Sequence, residues 1–148
     1  MKKIISAILV CFVLVGSMLA LVSCGGGDID NGTYVATMGS YEQTVKIDGN
    51  KFIMVQTEED EYDEVIATLE IVFTYEVKAD EADAEKQVLV LTYKELNLET
   101  DDDEIKAEFE EEKADIEEQY KSEEVTAPVP FEKTKKGFKA AGIEYVKQ

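Results

Sequence analysis

The chain is predicted to fold as a mainly β domain, a small antiparallel up-and-down β-barrel of six to seven strands with one acidic α-helix inserted near 101–121. Three observations predict it. From Thr33 onward apolar and polar residues alternate with period two, as strands with one buried face require. Turn residues punctuate the alternation at Gly39-Ser40 and at Asp48-Gly49-Asn50. Between 101 and 121 the apolar spacing lengthens to that of a helix, in a segment otherwise mostly charged. Antiparallel strands in sequential order manage their free edges by closing into a barrel.

Ahead of the first strand, Lys2 and Lys3 precede an uncharged run from Ile4 to Val22, with small residues near its end. That is the anatomy of an export signal. Leu21-Val22-Ser23-Cys24 closes the run and is similar to the bacterial lipobox, in which a small residue precedes the cysteine that is lipidated and becomes the new N-terminus. A transmembrane helix of about 20 residues and an unlipidated secretory signal are the alternatives. Against both stand the cysteine at the required place and Gly25-Gly26-Gly27 after it, a tether rather than a helix continuation. On this reading residues 1–23 are a lipoprotein signal peptide, 24–32 the lipidated Cys24 and a flexible tether, and 33–148 a single barrel domain with a helical insertion at 99–125. Cys11 is discarded with the signal. The expected location is extracytoplasmic, lipid-anchored through Cys24 to the bacterial cell membrane or outer membrane.

The elements follow in order. Thr33–Met38 is a first strand. Tyr41–Ile47 and Lys51–Gln56 flank Asp48-Gly49-Asn50, and a two-residue loop there puts Val45 and Ile47 on the same face as Phe52 and Met54. Thr57–Glu64 reads as an acidic loop. Val65–Val77 is a long strand whose odd positions, Val65 to Val77, are apolar or aromatic, while its even positions include Thr68, Glu70, Thr74 and Glu76. Lys78–Lys86 is a second acidic connection. In the next strand, Gln87–Leu98, Leu89, Leu91 and Tyr93 share one phase and Leu96 and Leu98 the other, which predicts a bulge near Lys94-Glu95. Asp101 with Glu104 forms an acidic variant of a helix-start box. Ile105, Phe109, Ile116 and Tyr120 make one narrow stripe, and Glu117 can pair with Lys121. Pro128 and Pro130 end any helical continuation. Pro130–Thr134 and Gly142–Val146 are two final short strands, with Gly137-Phe138 between them.

Composition excludes much. Removing Lys2 and Lys3 leaves 13 Lys against 33 acidic residues, a formal charge of −20, with no His, Arg or Trp anywhere. Zinc sites of the usual kind and His-dependent nucleophilic catalysis lack their residues. No phosphate-cradling loop is present, and a surface this acidic repels nucleic acid and anionic headgroups. The chain is not expected to be an enzyme or to carry a cofactor. Its possible partners are the membrane through the Cys24 lipid, a small apolar or amphipathic ligand, and a cation or basic protein.

Gly32-Thr33-Tyr34 at the first strand resembles the Gly-x-Trp opening of lipocalin-like barrels, with Tyr34 in place of Trp. Phe131-Glu132-Lys133-Thr134 and Gly142-Ile143-Glu144-Tyr145-Val146-Lys147 are similar to the ending of small lipocalin-like lipoproteins from anaerobic bacteria. That resemblance spans roughly 32–147 and implies a calycin-type barrel that binds a ligand in its interior. The inward residues Tyr34, Tyr41, Val45, Phe52, Met54, Ile71, Phe73, Tyr75, Leu89, Leu91 and Tyr93 are the candidate lining, or else a filled core. The helix stripe offers a lid or plug. In a meander the 57–64 loop and the 99–125 insertion share one end, the Asp48 turn and the 78–86 loop the other, and the tether enters at the second end. The first end would carry Glu58, Glu59, Asp60, Glu61, Asp63 and Glu64 beside Asp101, Asp102, Asp103 and Glu104, oxygen-rich candidates for calcium (Asp60, Asp63, Asp101, Asp102 and Asp103 foremost) or simply a solvated face. Asp28-Ile29-Asp30-Asn31-Gly32 starts like an EF-hand loop, but its Gly comes one residue early and Gly39 holds the twelfth position, so it is set aside.

Overall fold

A computed structural model describes residues 29–148. The expected signal segment, Cys24 and the glycines after it lie outside the described residues. Eight antiparallel strands close in sequence order into a barrel: β1 (Gly32–Met38), β2 (Tyr41–Asp48), β3 (Lys51–Glu59), β4 (Val65–Ala79), β5 (Gln87–Thr100), β6 (Val129–Lys133), β7 (Gly137–Ala140) and β8 (Ile143–Lys147). Between β5 and β6 lie α1 (Asp103–Tyr120) and a single turn, α2 (Glu123–Thr126). The expectation of six to seven strands is corrected to eight. The strand it passed over is β7, which pairs Phe131 with Ala140 on one side and Phe138 with Tyr145 on the other.

Local chemistry explains the register. Asp48 faces Lys51 across the two-residue turn Gly49-Asn50, and Gly49 takes a φ of 59° that a side chain would resist. Val45 therefore faces Met54 and Ile47 faces Phe52, as the phasing predicts. The bulge also falls in the expected place: Phe73 faces Tyr93 and Val72 faces Glu95, leaving Lys94 as the extra residue that returns Leu96 to the inside. A second irregularity, at Glu58/Glu59, skips Ile66 on β4, and Val65 beyond it is exposed.

The wall is uneven. β4 and β5 run 15 and 14 residues, whereas β6 to β8 have four or five each. β5 pairs with β6 only over Gln87–Leu89. Helix α1 lies over the inner rows that this leaves uncovered. Tyr120 meets the Phe73 ring edge-on at 6.0 Å, and Tyr93 Oη donates to Glu117 Oε1 at 3.0 Å. Ile105, Phe109, Ile116 and Tyr120 are all buried, so the predicted stripe is the packed face. The helix starts one residue later than the box suggests. Asp102, not Asp101, caps it, accepting from Glu104 N at 2.8 Å and Ile105 N at 3.1 Å.

Residues 29–32, expected within a flexible tether, are instead docked. Ile29 is buried. Its N–H donates to Tyr75 Oη at 3.2 Å, and that hydroxyl donates back to the Ile29 carbonyl. Tyr34 Oη donates to the Asp30 carbonyl at 2.6 Å, and Asn31 Oδ1 accepts from Gly49 N at 3.0 Å. These bonds fix the chain's arrival at the end that holds the Asp48 turn and the 80–86 loop, here the proximal end. The acidic loop at 60–64 and the start of α1 stand at the opposite, distal end. Among the described residues no helix is long and apolar enough to cross a membrane.

Candidate functional site

Most of the predicted lining does face inward. Tyr34, Val45, Phe52, Met54, Ile71, Phe73, Tyr75, Leu89 and Leu91 are buried in one cluster, and Tyr93 is half-buried against α1. Tyr41 is a correction: it is 64% exposed. It has the inward parity of β2 but sits at the strand's first residue, opposite Met38, where no wall faces it.

Aromatic rings occupy the proximal interior. Phe138 stacks between Phe131 at 5.9 Å and Tyr145 at 4.8 Å, and meets Tyr34 and Phe52 edge-on. Each such contact contributes about 0.5–1.5 kcal/mol beyond burial. The tyrosine hydroxyls here are tied down: Tyr34 and Tyr75 hold residues 29–30, and Tyr145 Oη donates to Gln43 Oε1 at 2.8 Å. Burial alone holds the Tyr145 phenol well above its ordinary pKa. Tyr93 is raised too, first by burial and then by its bond to Glu117 and the charges of Glu117 and Glu95.

The distal interior is different. β2 and β3 stop pairing at Thr44/Val55, although β2 begins three residues earlier, at Tyr41, and β3 continues to Glu59. The two strands part there into lips. Gln43, on one lip, has the inward phase of Val45 and Ile47 and is only 6% exposed, yet its Nε2 has no hydrogen-bond partner. On the other lip Gln56 and Glu58 continue the inward row of Phe52 and Met54, facing Leu69 and Ala67 of β4. Glu58 Oε2 is buried without a hydrogen-bond partner. Its carboxyl is raised above the ordinary range, first by burial and then by the Glu108 carboxylate on α1. Leaving such atoms unpaired costs about 1–3 kcal/mol each, so unsatisfied polar groups sit beside the apolar core where the β2–β3 ladder ends. Gln43 and Gln56 were not among the expected site residues, and Glu58 was expected only as one of the distal carboxylates. Their signal in the sequence is a polar residue in the inward phase of a strand.

The predicted oxygen ligands do other work. Asp60 Oδ1 accepts from Tyr62 N at 2.8 Å and Glu64 N at 3.0 Å, closing the loop in which Asp63 takes a φ of 61°. Asp102 caps α1, and Asp103 reaches Lys106 at 3.5 Å. Asp101 is exposed. Among the described residues no three His, Cys, Asp or Glu side chains form a group fit to hold a metal.

Comparison with protein-family models, with curated proteins and with solved structures found no match.

Proposed function

We propose that this protein is a lipocalin-like, non-enzymatic lipoprotein, anchored outside the cytoplasm through a lipid on Cys24, that holds a small apolar or amphipathic ligand at the distal end of its barrel. The observation that carries the reading is the parting of β2 from β3 beside inward polar atoms that no protein group satisfies, Gln43 Nε2 and Glu58 Oε2. Met54, Ile71 and Leu69 continue the same inward rows as buried apolar core. A site with a few fixed polar groups beside an apolar wall suits a molecule with a head and a tail. In this reading the anchor joins the barrel at the proximal end, where residues 29–31 dock, and the distal site faces away from the membrane.

The test is the melting temperature of the chain from residue 24 carrying Cys24→Ser, measured with fatty acids, sterols, haem, quinones and calcium. A ligand that binds only the folded state raises it by mass action. A selective rise with one apolar class supports the reading, and no rise with any of them defeats it. A second reading has its own support. The aromatic stack around Phe138 fills the proximal half, and the distal end is crowded with carboxylates. In that case the protein is an envelope lipoprotein with a filled barrel that meets cations or basic partners. A rise with calcium alone, or salt-sensitive capture of a basic protein, favours it.

A further inference from the structure

Charge is not spread evenly along the chain from Cys24. Residues 24–128 hold eight lysines against 31 acidic residues, whereas residues 129–148, the stretch that forms β6 to β8, hold five lysines against two. The last three strands are thus a basic sector in an otherwise acidic wall. Within that sector the topology sorts the charges again. Glu132 and Glu144 stand opposite Lys139, one on each side of it. The other four lysines, Lys133, Lys135, Lys136 and Lys147, are exposed and gather at the proximal rim, where β6, β7 and β8 begin or end. The Lys147 N–H donates to the Lys136 carbonyl at 2.8 Å, which holds the β6–β7 turn beside the end of β8. Lys133 reaches Asp30 at 3.5 Å, and among the described residues no ion pair engages Lys135, Lys136 or Lys147.

The chain's N-terminal side arrives at the same rim. Asp30 ties the docked segment to Lys133, and β8 is the strand that pairs with β1. Cys24 lies five residues before Ile29, a separation of at most about 18 Å. A lipid on Cys24 therefore brings these lysines to the headgroups. Each lysine near an anionic surface favours contact by about fivefold. The distal carboxylates are too far off to cancel that effect. β3, with nine residues, runs about 30 Å from the proximal turn to the distal loop, against a Debye length of about 8 Å at physiological salt. One acidic segment is nearer. The 80–86 loop, which leads into β5 beside β6, carries Asp80, Glu81, Asp83 and Glu85 against Lys86. An anionic surface repels that side of the rim while it attracts the other.

We propose that the barrel, anchored through Cys24 as read above, rests on anionic phospholipid by Lys135, Lys136 and Lys147. It is tilted, with the β6–β7 turn against the headgroups and the 80–86 loop lifted from them. The overall charge predicts repulsion from such a surface, and this rim is where the prediction reverses.

The test couples the chain from residue 24 through Cys24, its one thiol, to a maleimide lipid in phosphatidylcholine vesicles with or without phosphatidylglycerol. Brief acetylation of lysines, read by mass spectrometry, reports which are covered. Phosphatidylglycerol is expected to slow labelling of Lys135, Lys136 and Lys147 about threefold or more, with Lys86, Lys106 and Lys113 unchanged. High salt should abolish the protection. Lys135→Gln combined with Lys136→Gln should expose Lys147 as well. The turn survives that change, because its bonds come from the Thr134 and Gly137 backbone and the Thr134 hydroxyl. Equal labelling on both kinds of vesicle overturns the proposal. Protection that extends to Lys86 overturns the tilt. Protection that follows protein density rather than phosphatidylglycerol also defeats it, since the partner is then the acidic end of a second copy. The anchor is decided separately, by the mass of the Cys24 peptide from the full chain made in a bacterium that processes lipoproteins. An unmodified Cys24 removes the anchored reading whatever the labelling of the rim.

Discussion

Phe138 touches Phe131, Tyr145, Tyr34 and Phe52, and is completely buried. What seats it is its neighbour. At Gly137 the backbone passes so close to Tyr145 that a methyl group would run into the Tyr145 carbonyl. Because that obstacle is backbone in the adjoining strand, relief requires β7 to move and to take Phe138 with it. Gly137→Ala is expected to destabilise the fold by about 2–3 kcal/mol, read as a lower urea midpoint with little change in slope. A midpoint equal to that of the parent would mean that β7 slides freely on β8. Little at these two positions stands out in the sequence. A lone Phe between Gly and Lys carries no periodicity, and it matters only because four other strands bring rings to meet it.

At the scale of elements, the turn joining β7 to β8 is the weakest fit between residue and conformation. Ala141 and Gly142 both adopt left-handed backbone, at φ 51° and 82°, as a two-residue hairpin turn demands of both central positions. Alanine there is strained by about 1 kcal/mol or more. Ala141→Asn yields Asn-Gly and should stabilise by about 0.5–1 kcal/mol, visible as a higher melting temperature. A decrease would show that the Ala141 methyl packs usefully. The long elements were legible because each offered enough residues to display a period. β4 and β5 revealed even the Lys94 bulge, as a change of phase between Tyr93 and Leu96. β7 has four residues, and α2 has a single turn, too few to display one. The site was hidden for another reason. Candidates gathered by apolarity omit Gln43, Gln56 and Glu58, whose interest lies in being polar where the pattern demands otherwise.

For the whole molecule, charge dominates. Under the lipoprotein reading the chain from Cys24 carries a formal charge of −20, and much of it is gathered in the distal loop and along α1. The surface ion pairs are mostly exposed and contribute about 0–1 kcal/mol each, too little to offset repulsion among the surplus carboxylates. Raising sodium chloride from a few millimolar to about 0.15 M shortens the Debye length to about 8 Å. The melting temperature is expected to rise over that range by several degrees. A flat response would mean that the acidic groups are spaced widely enough to ignore one another.

The seam that closes the barrel is short. Tyr34 faces Lys147, Val35 faces Val146, and the Gln148 N–H donates to the Thr33 carbonyl. These partners lie more than 110 positions apart in the chain, so closing the ring carries the largest loop entropy of any pairing in the fold. The edge that β1 needs belongs to the residues of β8, which follow every other strand of the barrel in the chain. Until they emerge, the nascent chain is an open ribbon of hairpins with one flank of its apolar face exposed. Under the lipoprotein reading this order suits a chain that must cross a membrane before it folds, because the first strand waits for the last.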